Sequence, residues 1–236
     1  AQAYGNERQV GSALRASDID REAVFLTTKL GRGNRGYDDV RQSTEESLAK
    51  LGTEYVDLLL VHCPDPTTPL RETLAAMNEL VKEGTVRHIG VSNFDIDRLD
   101  RARKLSEHEI LTDQVQYNPY WPQSELLDYC RIHDVALTAY SPLAHGGVLE
   151  DPVLEEIGRK YDKTAAQIAL RWLVQQPNVV TVPKATSREH LAANVDIFDF
   201  ELRDEEMDRI RQPSKSRAMV GFLKGRLRRI RSACRS

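Results

Sequence analysis

Cysteine, long apolar runs and lysine are all scarce in this chain of 236 residues. Its three cysteines, Cys63, Cys130 and Cys234, stand far apart, with no CxxC pair and no Cys/His cluster. That argues against a disulfide framework and against structural zinc, leaves no metal expected, and points to a reducing compartment. No apolar stretch approaches the roughly 20 residues that a membrane span needs. The opening residues, AQAYGNERQVGSALR, lack the basic-then-apolar layout of a signal peptide. These absences predict a cytoplasmic protein with no membrane partner.

The overall formal charge of −3 conceals a split. Residues 214–236 carry eight basic side chains and no acid, so residues 1–213 hold 25 basic against 36 acidic groups, a charge of −11. Only seven of those 25 are lysines, a balance compatible with a salt-adapted proteome. Such an acidic body repels nucleic acid, so no nucleic-acid partner is expected. The basic tail, SKSRAMVGFLKGRLRRIRSACRS, reads as a disordered end after a body spanning 1–213.

What is present is a repeating pattern. Apolar runs of strand length recur at 23–30, 55–62, 86–93, 112–120, 135–143 and 178–185. Amphipathic stretches at 38–52, 70–84, 95–106, 124–134 and 164–176 separate them. Near-continuous apolar strands alternating with helices predict a parallel sheet covered by helices, in right-handed βαβ crossovers. With no Pro/Ser-rich linker, one α/β domain is expected. A doubly wound open sheet and a (β/α)8 barrel compete for this pattern. Nearly every strand ends in a polar or reactive group: Lys29, His62, Ser92 and Asn93, Gln114, Tyr140 and Ser141, Lys184. In a barrel these ends converge on one face, which favours the TIM barrel.

Tyr4, Lys29 and His62 form a chemically meaningful trio. A phenol is a poor acid at neutral pH, but an ammonium in contact favours its phenolate and a histidine can share the proton. Such a group can protonate a carbonyl oxygen while hydride reaches the carbon. Singly, each has an ordinary structural explanation: a surface lysine, a turn histidine before Pro64, a loop tyrosine.

The motifs AQAYGNE (1–7), VFLTTKL (24–30), DLLLVHCP (57–64), VRHIGVSNF (86–94), QVQYNPY (114–120), TAYSPL (138–143) and VPKATSREHLAAN (182–194) resemble, in order, those of the aldo-keto reductases. The resemblance covers about residues 1–212. It implies a (β/α)8 barrel that binds NADPH, with NADH also accommodated, and reduces small-molecule aldehydes or ketones, acting as a monomer. It casts Tyr4 as general acid, Lys29 as the cation that favours its ionisation, and His62 as the residue that orients the carbonyl. Ser92, Asn93 and Gln114 match the side chains that hold the nicotinamide carboxamide. Tyr140 matches the ring stacked on the nicotinamide, with Ser141 and Leu143 beside the pyrophosphate. Lys184, Thr186, Arg188 and Asn194 fall in the segment that grips the adenosine end. Side chains of these types suit those partners, by paired donors and acceptors for an amide and by charge for a phosphate.

Three departures accompany the resemblance. The family's first two strands, the helix between them and an aspartate five positions before the tyrosine have no counterpart in this sequence. Six βα units do not close an eight-stranded barrel, so a non-catalytic dinucleotide-binding fragment or accessory subunit is the alternative expectation. His190 stands where an arginine is frequent, which leaves a 2′-phosphate preference to Lys184 and Arg188. Cys63 stands where many members place a tryptophan, which implies a roomier substrate pocket.

Overall fold

The computed structural model describes residues 2–212, 219–221 and 223. The chain divides into two compact units, Ala1–Gln114 and Val115–Ser236. Apart from 219–221 and 223, the basic tail expected over 214–236 lies outside the described residues.

The first unit opens with a short 3-10 turn, Gln2–Tyr4, and then alternates helix and strand. Its elements are α1 (Glu7–Ala16), β1 (Thr27–Leu30), α2 (Tyr37–Leu51), β2 (Val56–Val61), α3 (Leu70–Lys82), β3 (Val86–Ser92), α4 (Ile96–Leu105) and β4 (Ile110–Gln116), the last crossing the unit boundary. The strands are parallel and lie in the order β1-β2-β3-β4. Each strand is laid beside the one before it, with no topological switch point, as the predicted barrel-type winding requires. All six residues of β2 are buried, because the apolar run VDLLLV is covered on both faces.

Local chemistry sets the helix limits. Helix α2 carries Asp38 and Asp39 in its first turn and Lys50 in its last, matching the helix dipole. It stops at Gly52, whose left-handed φ of 69° suits a residue without Cβ. Helix α4 starts where the Asp95 side chain accepts a hydrogen bond from the Arg98 N–H. On β3, Gly90 is required by packing, since a Cβ there would lie 2.7 Å from the Thr112 carbonyl oxygen.

The second unit contains α5 (Ser124–Ile132), β5 (Ala136–Tyr140), α6 (Pro152–Tyr161), α7 (Ala165–Val174), β6 (Val179–Thr181), α8 (Arg188–Val195) and α9 (Asp204–Arg211). Strands β5 and β6 pair in parallel, Leu137 opposite Val179. Helix α6 follows an Asp-Pro start in which Asp151 accepts from the Val153 and Leu154 N–H groups. Helix α7 begins with the Thr164/Gln167 capping box. All six predicted strands and all five predicted helices are present, with ends moved by a few residues. Helices α1, α6, α8 and α9 were not foreseen. No helix among the described residues is long and apolar enough to cross a membrane.

Two buried carboxyls differ sharply in how they are satisfied. Glu206, 1% exposed, accepts from the Tyr161 hydroxyl at 2.5 Å, the Lys160 ammonium at 3.0 Å, the Arg203 guanidinium at 3.1 Å and the Arg203 N–H at 3.1 Å. Burial opposes its ionisation, but these donors prevail and hold it near a pKa of about 2. Asp113, fully buried, has only the Phe94 N–H at 3.5 Å on one oxygen and no partner on the other. Burial, with Asp95 adding repulsion, lifts it to about 8.

Opposite pH dependences follow. Glu206 is ionised more readily folded than unfolded, so its contribution is complete above pH 4.5 and is lost as pH falls toward 2. Thermal unfolding should show that Glu206→Gln costs several degrees at pH 7 and much less at pH 3. Asp113 holds its proton in the folded state after the unfolded chain has lost it, so this residue costs stability increasingly from about pH 4 to pH 8. Asp113→Asn should raise the unfolding midpoint at pH 8 by a few degrees, on the order of 2–4 °C per kcal/mol, and leave it unchanged near pH 4.

Candidate active site

The parallel register decides which side chains share a face. Lys29 lies opposite Leu60, Val61 opposite Val91, and Ser92 opposite Gln114. Because side chains alternate along a strand, Lys29 and Ser92 with Gln114 fall on one face, and Leu30, Val61, Val91 and Asp113 on the other. His62 follows β2 at the same C-terminal edge as Lys29 and Ser92.

The first unit brings together all six of its predicted site residues. The Lys29 ammonium, on a residue 9% exposed, donates to the Tyr4 hydroxyl at 3.4 Å and to the Gln114 side-chain oxygen. The Tyr4 ring meets His62 edge to face, with centroids 5.7 Å apart and planes at 80°. Tyr4 itself is 58% exposed, within reach of a ligand in solution. Asn93, at a left-handed φ of 62°, donates from its amide to the His62 carbonyl and to the Ser92 hydroxyl, both at 3.0 Å. Ser92 in turn donates to the Gln114 carbonyl at 2.6 Å.

Electrostatics sort these groups. No carboxylate among the described residues pairs with Lys29, and burial shifts its pKa downward. His62 is likewise shifted down, first by burial and then by the positive charges of Lys29 and Arg35. It is therefore neutral at pH 7 and has one ring nitrogen to donate and one to accept.

The second unit holds the other seven. Tyr140 ends β5, half-buried, and Ser141 follows at φ 50°, its carbonyl accepting from the Asn118 amide at 3.1 Å. Leu143 precedes a 3-10 segment, Ala144–Glu150. Lys184 and Thr186 sit exposed in the segment leading into α8, Arg188 is its first residue, and Asn194 lies in its last turn. Ser187 caps that helix, accepting from the His190 N–H at 3.2 Å.

Sequence reasoning missed two supports. Gln2 accepts from the Gly31 N–H at 2.6 Å and the Asn34 amide at 2.7 Å, and donates to the Ser43 carbonyl at 3.1 Å, which pins the turn carrying Tyr4. Asn118 does the same for Ser141. Neither had a signal in the sequence, since the partners lie far along the chain. The G-x-G-x-x-G pattern of Gly31, Gly33 and Gly36, between β1 and α2, was also overlooked. It is not a phosphate cradle: Gln2 occupies the Gly31 N–H, and Asp38 and Asp39 make the helix start anionic.

The model of the aldo/keto reductase family matches residues 1–215. Glyoxal reductase of Bacillus subtilis is 40% identical over 207 residues, 88% of this chain and 74% of the relative. The solved aldo/keto reductase of Brucella melitensis is 42% identical with a TM-score of 0.85, covering 89% of this chain and 81% of that one. A Bombyx mori aldo-keto reductase solved in complex with NADP is 34% identical, TM-score 0.84, covering 89% and 76%. These relatives are reductases, and the predicted (β/α)8 fold class is theirs. The chain thus belongs to the aldo/keto reductase family, whose members are NAD(P)H-dependent oxidoreductases.

Proposed function

We propose that this protein reduces a small aldehyde or ketone to an alcohol, with Tyr4 as the proton donor. The observation that carries the reading is the Lys29 ammonium, buried between the Tyr4 hydroxyl and the Gln114 amide oxygen without a carboxylate partner. An uncompensated buried cation is costly to keep unless an anion forms beside it during the reaction. Tyr4 gives up its proton to the carbonyl oxygen, and Lys29 stabilises the phenolate left behind. His62, neutral and edge-on to the phenol, donates a hydrogen bond that orients the same oxygen.

A bound reduced nicotinamide dinucleotide supplies the hydride. Ser92, Asn93 and Gln114 fit its carboxamide, because the three are linked into one set of donors and acceptors at the strand ends. In the second unit, Tyr140 offers a ring for the nicotinamide and Ser141 and Leu143 flank the pyrophosphate. Lys184, Thr186, Arg188 and Asn194 would hold the adenosine end, where an exposed lysine and arginine at a helix start favour the 2′-phosphate of NADPH over NADH.

NADPH oxidation with a carbonyl panel that includes glyoxal tests the reading. Wild-type protein should turn over at least one of these carbonyls. Tyr4→Phe should lower kcat by about 10²–10⁴-fold, the usual worth of a positioned acid, with NADPH affinity by fluorescence within a few-fold. Lys29→Met should lower kcat comparably. A wild-type chain that binds NADPH and consumes none with any carbonyl leaves only the non-catalytic dinucleotide-binding reading.

A further inference from the structure

We propose that the first unit also binds a small oxyanion, at a second site on the side of the sheet away from Lys29. A cavity of about 350 Å³ opens behind the loop that follows β2, lined among others by Arg35, Val61, Asp65, Leu70, Arg98 and Arg101. Val61 points away from the face that carries Lys29, so the cavity is separate from the Tyr4 cluster.

Charge is what singles this cavity out. Arg35 is 2% exposed, and its guanidinium donates to the Gly31 carbonyl at 3.1 Å, the Cys63 carbonyl at 2.9 Å and the Cys63 thiol at 3.7 Å. No carboxylate among the described residues lies within ion-pair distance of it. A guanidinium buried against carbonyls and a thiol, which feels Asp65 through space but makes no ion pair with it, keeps a charge that is only partly compensated. Arg98 and Arg101 add two more cations from one face of α4, three residues apart. Arg98 pairs with Asp95, whereas Arg101 makes no ion pair among the described residues. Helix α3 starts at the cavity wall, at Leu70, without any side-chain cap, and Glu72 in its first turn offsets its positive end. Asp65 is the one carboxylate in the lining, and it is already engaged by the Thr67 N–H at 2.8 Å and the Thr67 hydroxyl at 2.6 Å. Three guanidiniums, of which only Arg98 is in an ion pair among the described residues, select a phosphate or carboxylate group, which Arg binds through paired N–H donors.

The test is titration of the full chain with inorganic phosphate and with citrate, each against chloride at matched ionic strength, by calorimetry and by thermal unfolding. Saturable binding with a rise in the unfolding midpoint is expected for at least one of them. Phosphate alone would identify a phosphoryl ligand and citrate alone a polycarboxylate, and both outcomes support the site. The double variant Arg98→Ala/Arg101→Ala should weaken binding at least tenfold while unfolding in chloride as the wild type does. In the Lys184→Ala/Arg188→Ala variant, which lacks the phosphate contacts proposed for NADPH, the binding that depends on Arg98 and Arg101 should persist. Three results would each overturn the proposal: a response that follows ionic strength alone, full binding in the Arg98/Arg101 variant, or loss of binding in the Lys184/Arg188 variant.

Discussion

The constraint on which the first unit depends is the polarity of a parallel ladder. Every strand runs the same way, so every strand end arrives at the same edge, and alternation then sorts side chains to one face or the other. Lys29 meets Leu60, Leu60 meets Gly90, and two residues further Ser92 meets Gln114. A one-residue slip of β1 along that ladder would carry the ammonium to the opposite face and leave Tyr4 without it. The glycine at position 90 belongs to the same constraint, since the Thr112 backbone and the Leu60 side chain leave no room for a Cβ there.

Much of this was legible in the sequence, because it depends on patterns that repeat locally. The apolar run VDLLLV is buried at every position, and the polar residues that close Thr27–Leu30 and Val86–Ser92 stand where the strand ends put them. The four unforeseen helices differ in kind. Helix α8 buries no residue, so it has no apolar stripe to display. Helix α6 did carry a readable start at Asp151 and Pro152, and a stronger weight on capping would have found it. Gln2, Asn118 and the Lys160 and Tyr161 contacts of Glu206 were not legible for a physical reason: these partners come from elements tens of residues away, and only the folded chain sets the distances.

Strand β4 shows how finely burial divides similar groups. Gln114, on the Lys29 face, gives its amide oxygen to a cation and satisfies it. Asp113, its neighbour on the opposite face, meets almost no donor and keeps its proton to about pH 8. Neighbouring residues on a strand thus live in unrelated electrostatic environments, because the sheet itself separates them. The motif that contains both, TDQVQYNPY, tells them apart only by parity along the strand.

The same reasoning bears on the proposal that Tyr4, and not another member of the trio, supplies the proton. Histidine is the usual acid near neutrality, since its ordinary pKa lies there. His62, however, loses its charged form to burial and feels two buried cations, Lys29 and Arg35. A neutral imidazole is a weak acid but a good hydrogen-bond donor, suited to orienting a carbonyl oxygen. Lys29 has an ammonium to spare, yet giving up that proton would remove the charge on which an anion beside it depends. The proposal rests instead on Tyr4, whose hydroxyl is in contact with the ammonium. The proposed division of labour therefore rests on where the sheet places positive charge, which disfavours the charged form of the histidine and puts an ammonium against the phenol.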